Sequence, residues 1–193
     1  MAATAKGAAR HEAIADAAAD LVAAHGPDAV SHRAVATAAG VPLAATTYYF
    51  RDLGELLSVA VQRAGARELD EVGALVQALP RAHRSIRETA ALLVDVLLGP
   101  RRRTDSQVQA YYERYLAAGR HPVLRPVLQA DRARLEGLVQ DVLDRGDHRT
   151  VPLDRLIALV DGTVLSALVE GDGNARGAAE LALTDLLSRR RRW

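Results

Sequence analysis

Residues 31–50 read SHRAVATAAGVPLAATTYYF, and the order of residue types predicts two short helices, a tight turn and an aromatic stop. Ser31 suits the cap of the first helix, where its hydroxyl accepts from a backbone N–H left free at the helix start. Val35, Ala36 and Ala39 then recur at core-facing spacing. Gly40 supplies the turn. Pro42 stands where the second helix should begin, a position with no hydrogen bond to lose and a use for a fixed φ. The pattern is a helix-turn-helix.

Working outward, residues 10–25 place Ile14, Ala17, Ala18, Leu21 and Val22 on one stripe and Glu12, Asp16 and Asp20 on the other side, so an amphipathic helix precedes the motif. Gly26-Pro27-Asp28 ends it. On the far side, Asp52 followed by Glu55 has the spacing of a capping box. It opens a long helix carrying Leu56, Leu57, Val59, Ala60 and Val61, which Pro80 stops. Further helices are predicted over residues 85–98, 105–118, 123–143, 152–169 and 175–187. They are separated by Gly99-Pro100 with Arg101-Arg102-Arg103, by His121-Pro122, by Arg145-Gly146-Asp147-His148 and by Gly171-Asp172-Gly173-Asn174. No segment alternates with the period of a half-buried strand, and no repeat is present, so the fold class is all-α.

The chain has 193 residues, of which 49% are hydrophobic and 25% charged, enough to bury a core in a two-lobed protein. There is no cysteine, which excludes disulfides and thiolate metal sites and suits a reducing cytoplasm. The first twenty residues lack the apolar run of a signal peptide, and the longest apolar run, residues 90–98, is broken by Asp95 and too short to span a bilayer. A cytoplasmic protein with no membrane partner is expected. Net charge is +1. Within residues 1–50, however, Lys6, Arg10 and Arg33 face Glu12, Asp16, Asp20 and Asp28, an acidic balance unfavourable for contact with phosphates.

Ser31, Arg33, Val35 and Ala36, then Ala39-Gly40-Val41, Tyr48-Tyr49-Phe50 and Leu56-Leu57, are together similar to the N-terminal DNA-binding domain of TetR-family repressors. Residues 10–26 resemble that family's first helix. The resemblance is close over the first third of the chain and holds in outline beyond it. It implies a three-helix DNA-binding domain over residues 1–55 and a helical ligand-binding and dimerisation domain over residues 56–193. The second helix of such a motif enters the major groove. With Val41 and Phe50 turned inward, Leu43, Ala44, Thr47 and Tyr48 turn outward, with Tyr49 at the edge. The family's contacts carried onto these positions give Thr47 and Tyr48 as hydrogen-bonding groups and Leu43 or Ala44 as contacts for a thymine methyl. Ser31 and Arg33 would hold phosphates. Three positions depart from the family pattern: Leu43 where a polar or basic residue is usual, Thr47 where tyrosine is usual, and Leu53 where a phosphate-gripping lysine is common. Affinity then leans on Arg51, Arg33 and backbone amides.

One such motif reads only a half-site, so the resemblance implies a homodimer on a palindromic operator, paired through the last two helices as a four-helix bundle. The helices between residues 79 and 143 would surround an effector pocket. Tyr111 and Tyr115 share a helix face, and a buried tyrosine hydroxyl needs a partner that a ligand can provide. Asp95, Gln107 and Asp161 are further polar positions within apolar helices. The implied function is that of a repressor released from its operator by a small molecule.

Nothing in the sequence argues for catalysis. There is no Ser/His/Asp or Cys/His pairing and no phosphate loop after a strand, and the histidines at 11, 25, 32, 83, 121 and 148 lack metal-ligand spacing. No cofactor is expected. The arginine runs at 101–103 and 189–192 read as solvated. The competing reading is a ligand-independent helical adaptor or scaffold that uses the hairpin for protein contacts, which the acidic balance of the first fifty residues would favour.

Overall fold

A computed structural model describes residues 5–100, 104–148, 152–171 and 173–189. The arginine runs at 101–103 and 190–192, together with Trp193, lie outside the described residues. Among the described residues there are nine α-helices and no strand: α1 (Ala5–His25), α2 (His32–Ala38), α3 (Leu43–Tyr49), α4 (Leu53–Ala78), α5 (Ile86–Leu98), α6 (Asp105–Arg120), α7 (Arg125–Gly146), α8 (Leu153–Glu170) and α9 (Ala175–Arg189). Short 3-10 turns fill Pro27–Ala29 and Pro122–Leu124. None of the described helices is long and apolar enough to cross a membrane.

The helix ends follow from the residues that mark them. α1 begins before the predicted residue 10, since the alanine-rich segment ahead contains nothing that breaks a helix. α7 starts after the 3-10 turn rather than at Val123, with Pro126 in its first turn, where no intrahelical donor is lost. Pro42 caps α3 from outside, with an extended ψ of 144°, rather than occupying its first turn. Asp52 caps α4 as expected, accepting from Glu55 N–H at 2.8 Å. The Glu55 carboxylate reaches one residue further back than a capping box requires and accepts from Arg51 N–H at 2.7 Å.

The chain forms two compact units. The first comprises residues 1–67 and 109–131. Its core joins Ile14, Ala18 and Val22 of α1, Val35 of α2, Phe50 just after α3, Leu56 and Val61 of α4, and Leu124 and Leu128. Each fully buried large aliphatic or aromatic side chain contributes about 1.5–3 kcal/mol. Two glycines meet a closely approaching side chain, and the first is also required by its conformation. Gly26 has φ +77°, and the Glu113 carboxylate occupies the space a Cβ would need. Gly65, within α4, has the Asp131 side chain seated against it.

Along α1 and α4 runs a ladder of ion pairs one helical turn apart. Arg63 binds Glu12 at 2.5 Å and Asp16 at 2.6 Å, and Arg67 binds Asp16 as well as Asp20 at 2.7 Å. The hydrogen bonds from Arg63 hold the Glu12 and Asp16 carboxyls below their usual range, and those two carboxylates in turn raise Arg63. Arg120 meets Asp28 at 3.5 Å. All four acidic residues of the first fifty thus have arginine partners from later in the chain, which answers the charge balance that weighed against phosphate contact.

The second unit comprises residues 68–108 and 132–189 of the described chain. α5 opens with a full capping box between Ser85 and Glu88, and this bonding lowers the Glu88 carboxyl. The core draws on Leu93 and Val94 of α5, Val139 and Leu143 of α7, Leu156 and Val160 of α8, and Ala179 and Leu183 of α9, all buried. α9 packs on both α5 and α8. Across the first of these contacts Arg176 binds Asp95 at 2.8 Å and donates to the carbonyl oxygens of Gly99 and Pro100, so it also fastens the end of α5.

Candidate nucleic-acid interface

The helix-turn-helix is built as its residues predict. Ser31 Oγ accepts from Ala34 N–H at 3.1 Å, leaving its own hydroxyl proton free to donate outward. At the end of α2, Gly40 N–H donates to Thr37 O at 3.2 Å and Val41 N–H to Ala36 O at 3.0 Å, the two bonds of a Schellman motif. Gly40 has φ +63° with open space around it, so glycine is required there by conformation alone. Val41 then packs against the core while Phe50, 1% exposed, closes the far end of α3.

With both ends fixed, the outward face of α3 is the predicted one. Leu43, Ala44, Thr47 and Tyr48 are exposed, Tyr48 at 82%, and Tyr49 is half-buried. Thr47 Oγ1 donates to Ala44 O at 3.2 Å, so toward solvent it offers lone pairs. Tyr48 stands edge-on to Tyr49 with ring centroids 5.0 Å apart. Leu53 is exposed at the start of α4. The outward face of α3 is thus largely apolar, with one phenol hydroxyl and one hydroxyl acceptor.

Arg33 is exposed and forms no ion pair among the described residues. Arg51 is exposed too, with Asp52 at 3.7 Å and Glu55 at 3.8 Å. Exposed pairs this long contribute at most about 1 kcal/mol, so a phosphate competes readily for Arg51. The residues picked out from the sequence for DNA therefore lie within one contiguous stretch of the first unit, on the helix-turn-helix and the turn after it.

Two supports of this face were not expected. His32 Nδ1 lies 3.1 Å from Thr46 Oγ1, linking α2 to α3. His11 of α1 stacks on Phe50 with centroids 4.9 Å apart and meets the edge of Tyr49 at 6.0 Å. Metal-ligand spacing is blind to such contacts; for His32 the signal in the sequence is a polar Thr46 at the buried position of a short helix.

The residues expected from the sequence to meet an effector fall differently. Tyr111 and Tyr115 belong to the first unit; Asp95, Gln107 and Asp161 belong to the second. The buried tyrosine of α6 is Tyr112, at 4% exposure, whereas Tyr115 is exposed and Tyr111 half-buried with the Arg114 guanidinium 5.2 Å from its ring centre. Arg114 itself is buried, which the sequence did not suggest. Gln107 is exposed, and its side-chain oxygen accepts from Thr104 N–H at 3.0 Å as part of the start of α6. Asp95 is held by Arg176, and Asp161 accepts from Arg132 at 3.2 Å. Both carboxylates already have structural partners.

Two family models match the chain. "Bacterial regulatory proteins, tetR family" covers residues 14–60, and "Tetracyclin repressor-like, C-terminal domain" covers residues 84–189. Among solved structures the chain is similar to the multidrug binding protein EbrR in its complex with proflavin: 32% identity, 92% of this chain and 99% of that one covered, TM-score 0.66. EbrR in complex with ethidium is similar at 32% identity, with 92% and 98% covered and a TM-score of 0.65. A TetR-family member from Streptomyces coelicolor A3, SCO1917, shares 35% identity over 92% of this chain and 97% of its own, with a TM-score of 0.61. No curated protein matches.

Proposed function

The chain belongs to the TetR family of bacterial regulatory proteins, and from that premise we propose that it is a homodimeric, cytoplasmic repressor released from a palindromic operator by a small molecule. The observation that carries the DNA-reading part is the outward face of α3, with Leu43, Ala44, Thr47 and Tyr48 presented beside Arg33, Arg51 and the Ser31 hydroxyl. Ser31, Arg33 and Arg51 hold phosphates and fix register; Leu43 and Ala44 press on thymine methyls, and Tyr48, Tyr49 and Thr47 supply the polar contacts. Specificity in this reading comes from methyl groups and shape rather than from the bidentate guanine contacts that arginine makes.

A mobility shift on duplex from the protein's own upstream region tests it. Tyr48→Ala is expected to weaken the complex roughly tenfold, the effect of losing one base contact of about 1–3 kcal/mol. An unchanged complex removes Tyr48 from the reading face.

Dimerisation through α8 and α9 is supported by the outward side of α8, where Ala158, Gly162, Ser166 and Val169 recur on one exposed face, and by the exposed Leu181 of α9. Small residues at this spacing let a second helix approach closely. A palindromic operator requires a two-fold pair to present two reading helices about 34 Å apart, one turn of duplex.

For the effector, the EbrR complexes with proflavin and ethidium support a flat aromatic cation. Tyr111 and Tyr115, which share α6 within the first unit, are the residues suited to such a ligand. Release requires that the ligand bind the DNA-incompetent state more tightly than the competent one. Proflavin fluorescence on the protein without DNA checks the ligand class, because flat cations enter duplex DNA by themselves. Saturable binding that Tyr111→Ala weakens is expected; absence of binding removes aromatic cations as the effector class. The charge argument for the adaptor reading weakens once all three acidic residues of α1 are seen to bond to Arg63 and Arg67.

A further inference from the structure

Resting on the DNA-reading role above, we propose that His32 is a positioning residue for the reading helix, setting through Thr46 the rotation at which α3 meets the groove. α3 has seven residues, too few to be stable or oriented on its own, and its N-cap, Pro42, offers no side-chain bond. Its only buried residue is Thr46, which is polar and fully buried. The Thr46 hydroxyl donates its one proton to Leu43 O at 2.8 Å. Toward His32 it therefore accepts, so the proton lies on Nδ1 of His32, and the bond survives whether the ring is neutral or charged.

This bond is the directional link between α2 and α3. The contacts of His11 with Tyr49 and Phe50 hold the other end of α3 but are ring packings, which tolerate sliding. A rotation of α3 by about 20° at a side-chain radius of about 5–6 Å carries Leu43, Thr47 and Tyr48 roughly 2 Å sideways, more than a hydrogen bond tolerates. Thr46 follows Leu43 by three residues and precedes Thr47 by one, so the position that anchors α3 adjoins two of those that read.

The test uses three substitutions in the full-length protein. His32→Ala removes the donor, Thr46→Val keeps the shape but removes the acceptor, and His32→Asn keeps an N–H donor at the Nδ1 position. Affinity is measured on the active fraction, fixed by stoichiometric titration, against the duplex that the wild-type protein enriches from a randomised library and against a scrambled duplex. His32→Ala and Thr46→Val are each expected to weaken the enriched duplex ~10-fold while leaving the scrambled one unchanged, and the double variant to be no weaker than either single one, since both remove the same link. His32→Asn should return most of the loss. A purely structural role would lower the active fraction and the melting temperature with an unaltered ratio between the two duplexes; that outcome, or additive single effects, overturns the proposal. A wild-type protein that enriches no duplex overturns the DNA-reading role itself, and this inference with it. A wild-type protein that binds, with variants that discriminate equally well, overturns this inference alone.

Discussion

A variant carrying Val169→Glu and Leu181→Glu is expected to sediment as a monomer and to bind the operator about a thousandfold more weakly than the wild-type protein, a loss at the low end of the usual gap between specific and non-specific binding. Val169 is 85% and Leu181 73% exposed in the single chain, an arrangement that gains only if another surface covers them. Covering each apolar side chain contributes about 1.5–3 kcal/mol, and two-fold symmetry makes every substitution count twice. Glutamates at these positions would be buried without partners in the dimer, while in the monomer they face water, so the fold should change in stability by no more than about 0.5 kcal/mol. Sedimentation at micromolar concentration and an operator titration read the two effects together. A variant that stays dimeric moves the interface away from these faces of α8 and α9.

Phe50→Ala carries the second large effect, in stability. Phe50 is 1% exposed, its ring stacks on His11, and its N–H donates to Thr46 O at 3.0 Å at the end of α3. Truncating a buried phenylalanine costs about 3–5 kcal/mol, a sum comparable with the whole net stability of a lobe this size at about 0.05–0.15 kcal/mol per residue. The helix-turn-helix should melt well below the rest of the chain. The expected result is loss of operator binding at growth temperature with the dimer retained, and an early helical melting step by circular dichroism. A variant that binds the operator within tenfold of wild type would mean that Phe50 is not the keystone of this core.

The helices were legible because their limits rest on local chemistry. Ser31, Gly40, Asp52, Pro80 and Gly99 act within a few residues of themselves, and the structure uses each near the end of an element. The outward set on α3 was legible for a related reason: once Val41 and Phe50 are inward, only one side of a seven-residue helix is left to face out, although the finer rotation within that side is not fixed by them. The supports behind that face were not. His32 and Thr46 are 14 residues apart, and nothing local marks their bond. The Arg63 and Arg67 ladder to α1 spans 47 to 51 residues, so charges summed over the first fifty residues omitted the partners that neutralise them.

In α6 the helical period correctly put Tyr111 and Tyr115 on one face but could not say which face turns inward, and burial falls on Tyr112. Asp95 and Asp161 read as unexplained polar groups in apolar helices because Arg176 and Arg132 lie 81 and 29 residues away. Those four side chains pair across helices, which is reason enough for half-buried carboxylates to persist in an apolar setting.

Hydroxyl-radical footprinting of the wild-type protein on the duplex it enriches from a randomised library tests the central claim most directly. Two identical chains laying their α3 helices into successive major grooves predict a palindromic sequence with two protected patches on one side of the duplex, about 34 Å apart and related by a dyad. Uniform cleavage along every duplex, with no sequence enriched over the starting library, would contradict it.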